Sequence, residues 1–301
     1  MSDRPPEAIA GVSEADLTGQ TVLVTGSTSG IGREAALAFG RLGADVVVHG
    51  RNAEAGAAVC DALERTAAGD ARFIQADFAS LDAVRSMAAT VREHTDTLDI
   101  LVNNAGGLFP NGGLTDDGVA YTFGVNHLAP YALTTALEDE LAAANGRVIT
   151  TSSRAHRGAQ FDFDGLQEPE TGTGMTAYAR SKLANILFTR ELARRWDDAV
   201  TAVSLHPGAI PGSGFARHLP GPIASMIQAA DRLPDAVVDR FFATPVDGAA
   251  TVVYLGAARS VTERSGEHFA DCTPETPSRA ARDDTTAKRL WTVSERLAQS
   301  S

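Results

Sequence analysis

Tyr178 and Lys182 stand four residues apart in the stretch TAYARSKLANILF, residues 176–188. In a helix that spacing sets a phenol and an amine on one face, about one turn apart. A phenol of ordinary pKa, about 10, is a poor acid or base near neutrality, and an adjacent ammonium favours the phenolate. The pair therefore suits proton transfer to or from an oxygen. Only two of the 26 basic residues are lysines, so an amine at 182 marks a place where a compact point charge serves better than a guanidinium fork. An exposed helix face would show the same spacing, and other motifs must decide.

The first of these is VLVTGSTSGIGREAA, residues 22–36, an apolar run, then a glycine-rich turn, then a helical pattern. Gly26, Gly30 and Gly32 allow positive φ and close backbone approach. A helix N-terminus behind them offers unpaired N–H groups to a diphosphate. The whole turn, Gly26, Ser27, Thr28, Ser29, Gly30, Ile31 and Gly32, is thus a candidate dinucleotide cradle. The next apolar run ends His49-Gly50-Arg51-Asn52. An acid there would bond ribose hydroxyls, but Gly50 supplies none and Arg51 carries a fork suited to a 2′-phosphate. NADP(H) is expected over NAD(H), with Arg51 as the discriminating residue and Asn52 beside it as a further cofactor-binding candidate.

Taken in order, TGSTSGIG, NNAG (103–106), Asn126, Ser152-Ser153, YARSK (178–182) and HPG (206–208) resemble the short-chain dehydrogenase/reductase family over roughly residues 18–271. SSRAH, YARSKLANILF, SLHPG and EHFADC are most similar to its retinol-dehydrogenase-like branch, known for NADP(H)-linked chemistry on retinoids and other lipophilic carbonyls. The resemblance implies that Tyr178 exchanges a proton with the substrate oxygen. Lys182 would hold the nicotinamide ribose and lower the tyrosine pKa, and Ser153, rather than Ser152, would bond the substrate oxygen. Asn126 would support a water relay to Lys182. Asp77 would meet adenine, while Asn103, Ala105 and Gly106 pass the adenine ribose. Pro207, Gly208 and Ile210 would flank the nicotinamide. One departure follows HPG: where the family often has Thr, this chain has Gly212, then Ser213 and Gly214. A non-catalytic dinucleotide sensor on the same fold is the rival reading, since fold does not dictate activity.

The elements that must position these residues are legible from residue 21 onward. Short Val- and Ile-rich runs at 21–25, 45–50, 72–77, 98–104, 146–153, 201–208 and 266–271 alternate with helical stretches at 31–43, 53–67, 80–95, 116–144, 175–197, 245–258 and 282–298. That rhythm predicts βαβ units, hence a single α/β domain over 19–301, a Rossmann-like doubly wound parallel sheet of about seven strands. Residues 1–18 read as an N-terminal extension, and 209–244 as a substrate lid with apolar residues such as Phe215 and Ile223. The two long helices, 116–144 and 175–197, are candidates for pairing copies into a homo-oligomer.

A net charge of −12 excludes the cationic surface that nucleic acid requires. Cys60 and Cys272, the only cysteines, match no disulfide framework or zinc motif. His127, His156 and His206 have no ligand spacing, so no metal is expected. The first residues lack a signal pattern, and no run of about 18 apolar residues occurs; a cytoplasmic protein without a membrane anchor is expected, acting on a small-molecule carbonyl or alcohol.

Overall fold

A computed structural model of the chain describes residues 4–67, 69–197, 199–208 and 244–299. Its strands are the runs of β-branched and aliphatic residues: β1 (Thr21–Val24), β2 (Asp45–Gly50), β3 (Ala71–Gln75), β4 (Ile100–Asn103), β5 (Arg147–Thr151), β6 (Thr201–Leu205) and β7 (His268–Ala270). These seven lie parallel in the order β3-β2-β1-β4-β5-β6-β7. Central strands such as β4 and β6 are buried along their whole length, which is why they read as continuous apolar runs rather than alternating ones. The strand order reverses between β1 and β4, and crevices at the carboxyl ends beside such a switch are where ligands bind in open α/β sheets.

An eighth strand was not legible. β8 (Thr273–Pro274) pairs antiparallel with β7 through a two-residue turn. Asp271 and Cys272 occupy that turn with φ of 48° and 59°, the left-handed geometry a tight hairpin demands, without the glycine that usually signals it.

Helices cover both faces. On one side α1 (Pro6–Ile9), α2 (Gly30–Arg41), α3 (Ala53–Thr66) and α9 (Pro245–Ala257) pack on the sheet through residues such as Phe39, Leu63 and Val252. Residues 4–18 lie against this layer, with Arg41 donating to both carboxylate oxygens of Glu7 at 2.7 and 2.9 Å. On the other side stand α4 (Leu81–His94), α5 (Tyr121–Phe123), α6 (Ala129–Ala136), α7 (Glu138–Ala143), α8 (Met175–Arg195) and α10 (Asp284–Gln299). Ile210, the segment around Gly212 and the lid expected at 209–244 lie outside the described residues, except Thr244, whose hydroxyl and Asp247 form the capping box of α9.

The single helix expected at 116–144 is instead three helices and a π turn. A bridge between Leu114 and Ala120 precedes α5, and residues Gly124–Leu128 are wound as a π-helix. Pro130 explains the widening. It has no N–H to offer the carbonyl of Asn126, and its ring crowds that carbonyl; one loose turn relieves both. A second break falls at Leu137, whose backbone leaves the helical region at φ −109°, ψ 23°.

The last helix, α10, begins where Asp283 accepts from the N–H groups of Thr285 and Thr286 and packs along α8 as far as α6 and the π turn. Trp291 meets Tyr131 edge-on at 5.1 Å and stacks on Phe188 at 5.9 Å between ring centroids, with the Arg195 guanidinium over its face. Ser294 hydrogen-bonds Nε2 of buried His127 at 2.9 Å. The helices nominated for pairing copies thus already carry a third helix of the same chain. No described helix is long and apolar enough to cross a membrane. Removing the indole in Trp291→Ala is expected to cost about 3–5 kcal/mol in denaturant unfolding, and a loss below about 1 kcal/mol would show that α10 is not part of the core.

Candidate active site

The loops at the carboxyl ends of β1, β4, β5 and β6 meet at one edge of the sheet, and short-range contacts fix their relative positions. Thr25 is the knot between the first two. Its hydroxyl donates to the carbonyl of Val102 at 3.1 Å and accepts from the N–H groups of Asn104 and Ala105 at 2.9 and 3.0 Å. Asn104 returns a bond to the Thr25 carbonyl at 2.9 Å. The backbones pack so closely that a Cβ on Gly26, where φ is +65°, would lie 2.9 Å from Cα of Ala105, and one on Gly32 would lie 2.4 Å from the carbonyl oxygen of Gly26.

This geometry sorts the glycine loop. Ser27 faces inward: its hydroxyl donates to Val24 at 2.7 Å and accepts from the N–H of His49 at 3.0 Å, so it locks β1 to β2 and its only donor is spent. Ser29 is exposed, extended at φ −160°, and gives α2 no side-chain cap. The first-turn N–H groups of Gly30, Ile31 and Gly32 are therefore left without a side-chain partner at the positive end of a 12-residue helix. That is a fit for an anionic diphosphate. Thr28 packs against Gly50, where a Cβ would lie 2.5 Å from its methyl group.

Sequence reasoning passed over His49, which the loop needs. Its Nδ1 accepts from the N–H of Gly26 at 3.2 Å, its Nε2 lies 3.2 Å from the carbonyl of Ala76, and the ring stacks on Phe78. An N–H on one side and a carbonyl on the other fix the neutral, Nε2-protonated tautomer. Burial holds its pKa down at about 4. The only available signal was an imidazole at the end of an apolar strand.

Near the adenine-binding end expected from the resemblance, the side chains are looser. Arg51 is 65% exposed, with its guanidinium 3.9 Å from the Asp77 carboxylate. Asn52 caps α3 by accepting from Ala55 at 3.0 Å, and Asp77 accepts from Ala79 at 3.0 Å. Asn103, expected at the ribose, instead turns into the helix layer and donates to Thr134 at 2.8 Å. It is the last residue of β4, and strand alternation sends its side chain away from the loop.

The catalytic candidates converge. The Ser153 hydroxyl lies close enough to the Tyr178 phenol to favour its ionised form. Ser152, one residue earlier, points the other way and donates to the carbonyl of Lys182 at 2.6 Å. Lys182 is 4% exposed; its amine donates to the carbonyl of Thr151 at 3.1 Å and lies 5.7 Å from the centroid of the Tyr178 ring. Gly106, at φ +152°, brings its backbone beside both Asn126 and the amine: a Cβ there would stand 2.7 Å from Oδ1 of Asn126 and 3.4 Å from Nζ. Asn126 uses its whole amide on structure, donating to Gly107 and Ser181 at 2.9 and 3.0 Å and accepting from Gly107 at 2.9 Å. On β6's side, Pro207 and Gly208, the latter at φ +83°, follow His206 at the same edge.

Burial shifts both the Tyr178 phenol and the Lys182 amine. Burial raises the phenol, and the opposing influence is the Ser153 hydrogen bond. Burial also brings Lys182 down to about 8. At neutral pH the site holds a protonated phenol and an ammonium.

Among known proteins, the model of the short chain dehydrogenase family matches residues 20–219. Dehydrogenase/reductase SDR family member 13 of Bos taurus is 38% identical, the alignment covering 94% of this chain and 74% of the relative. Retinol dehydrogenase 14 of Homo sapiens is 36% identical over 92% of this chain and 85% of its own. A solved NADP active-site complex of RhlG from Pseudomonas aeruginosa superimposes with a TM-score of 0.64 at 25% identity, covering 84% of this chain and 95% of that one.

The buried neutral imidazoles make stability pH-dependent. Unfolded, His49 and His127 protonate near 6.5; folded, burial holds them at about 4 and about 3. The unfolded chain therefore binds more protons in between, and stability is full above about pH 6.5 and falls as pH is lowered toward 4. Chemical denaturation at a series of pH values measures this, and His49→Gln is expected to flatten the slope; an identical slope in the variant would contradict the assignment of His49.

Proposed function

The chain belongs to the short-chain dehydrogenase/reductase family, in its retinol-dehydrogenase-like branch, and on that premise we propose that it is an NADP(H)-dependent oxidoreductase of small-to-medium, lipophilic ketones, aldehydes or alcohols. One observation carries the reading: the Ser153 hydroxyl and the Tyr178 phenol come together beside the buried Lys182 amine, which lies 5.7 Å from the Tyr178 ring centroid. A bound nicotinamide supplies or accepts the hydride. The rest is work for the chain.

Ser153 holds the substrate oxygen by a hydrogen bond. Tyr178 gives that oxygen a proton in reduction and takes one back in oxidation. Because burial keeps the phenol protonated at neutral pH, the resting site is loaded for reduction. Lys182, protonated below about pH 8, places positive charge beside the phenol and stabilises the anion as the proton departs. Asn126 is a positioning residue: with its amide spent on Gly107 and Ser181, it holds the Gly106–Gly107 backbone against the amine, in place of the water relay the resemblance implies.

Of the cofactor residues, the backbone of Gly26 and Gly30–Gly32 would take the diphosphate, with Thr28 and Ser29 at its rim. Ala105, Gly106, Pro207 and Gly208 line the same edge of the sheet. Ser27 and Asn103 support the loops from within. Arg51 carries the preference for a 2′-phosphate: it is largely exposed, no acid replaces Gly50, and a fork on a mobile stem reaches a phosphate bidentately. A lipophilic substrate is supported by a relative named for retinol.

Tyr178→Phe, which keeps the ring and removes the proton, is expected to lower kcat by about 10²–10⁴-fold on a panel of aldehydes and ketones while NADPH still binds. Undiminished turnover would remove the phenol from the chemistry, and absence of turnover in the unaltered chain on every carbonyl would favour a dinucleotide sensor. Arg51→Ala is expected to raise KM for NADPH by about tenfold or more and leave that for NADH nearly unchanged, consistent with loss of a charge-assisted pair; equal changes for both cofactors would refute Arg51 as the discriminator.

A further inference from the structure

Behind Ser153, away from the glycine loop, three segments far apart in sequence bring together two imidazoles and a carboxylate. His206 follows β6, His268 opens β7, and Glu275 follows β8. One ligand-capable atom from each lies within 4.8 Å of the others. His206 Nε2 and a Glu275 carboxylate oxygen are 2.9 Å apart. The other oxygen of Glu275 pairs with Arg157 at 2.9 Å, which leaves its inner oxygen facing the histidines.

His268 is the informative member. It is 2% exposed, its Nδ1 is bonded to Ser204 Oγ at 2.9 Å, and its Nε2 is buried with no hydrogen-bond partner. A bare ring nitrogen in the interior costs about 1–3 kcal/mol, and buried polar atoms are seldom left so. In the tautomer whose Nδ1–H donates to Ser204, the outer bond is the arrangement that fixes a metal-binding histidine, with Nε2 presenting its lone pair. The neighbouring His156 does not share this property, since Nδ1 meets the carbonyl of Ser153 at 2.7 Å and Nε2 accepts from the N–H of Ser278 at 3.3 Å.

We propose that His206, His268 and Glu275 form a binding site for a divalent transition-metal ion of the zinc class. Two imidazoles and one carboxylate suit a borderline ion rather than magnesium or calcium, which prefer all-oxygen sets. Bonds of about 2.0–2.2 Å require the three atoms to draw together from their present spacing. Glu275, 34% exposed at its side chain, supplies that movement. Binding moves the proton of His206 from Nε2, where it faces Glu275, to Nδ1, which gives up the 3.4 Å bond it accepts from the Gly208 N–H. The ion ties the end of β6, directly ahead of Pro207 and Gly208, to the β7–β8 hairpin, and so braces one wall of the candidate active site. Sequence spacing hides it, because 62 residues separate the histidines and the pairing of Ser204 with His268 in adjacent strands is what joins them.

Titration of the full chain with zinc chloride by isothermal calorimetry, without cofactor, tests the site. One ion per chain is expected, with binding weakened at least about tenfold in both His268→Ala and Glu275→Gln. The same zinc is expected to raise the melting temperature of the unaltered chain and not of these variants. If His268→Ala does not fold by circular dichroism, His268→Gln takes its place. Absence of saturable binding, or binding of equal strength in the His268 and Glu275 variants, overturns the proposal, because an ion held elsewhere on the surface would be indifferent to them.

Discussion

An amine that water hardly reaches, that of Lys182, sets the terms for everything around it. Removing an ammonium from solvent is expensive unless neighbouring dipoles replace the lost hydration, and here the hydrogen bond to the Thr151 carbonyl, beside the Gly106 backbone, serves that purpose. The approach of Gly106 is possible only because that residue lacks a Cβ. Asn126, which lies in the π turn, holds the Gly106–Gly107 strip in place with both ends of its amide. A chain of small necessities therefore runs from one buried charge to a glycine, an asparagine and an unusual turn of helix.

Much of this was open to sequence reasoning. The parallel sheet was legible because strands covered on both faces are written almost entirely in Val, Ile and Leu, and the helices between them carry their own period. Tyr178, Ser153 and Lys182 were legible because their chemistry and order are distinctive, and the structure brings them together. Helix continuity through 116–144 was not, since Pro130 is tolerated by loosening one turn rather than ending the helix, and no local pattern distinguishes the two outcomes.

What the sequence left hidden has a shared physical cause. Whether Ser27 or Asn103 faces a ligand or the interior depends on the direction of its Cα–Cβ bond at the end of a strand, which a shift of one residue inverts. His49 was overlooked for the converse reason: its task is to accept one N–H and donate to one carbonyl, and both partners are fixed by tertiary structure. Sequence spacing places the charge of Lys182 near Tyr178 but does not reveal the desolvation that both groups undergo together. In the structure, burial governs both.

The docking of α10 on α8 has a consequence in time. Residue 195 ends the helix that carries Tyr178 and Lys182, and residue 284 begins the one whose indole rests on it. A ribosome adding about 5–20 residues per second needs roughly 4–18 s to span that interval. Through those seconds the rings of Tyr131 and Phe188 lack their cover, and the nascent chain presents a greasy aromatic patch to chaperones, or to other nascent chains, before it can close.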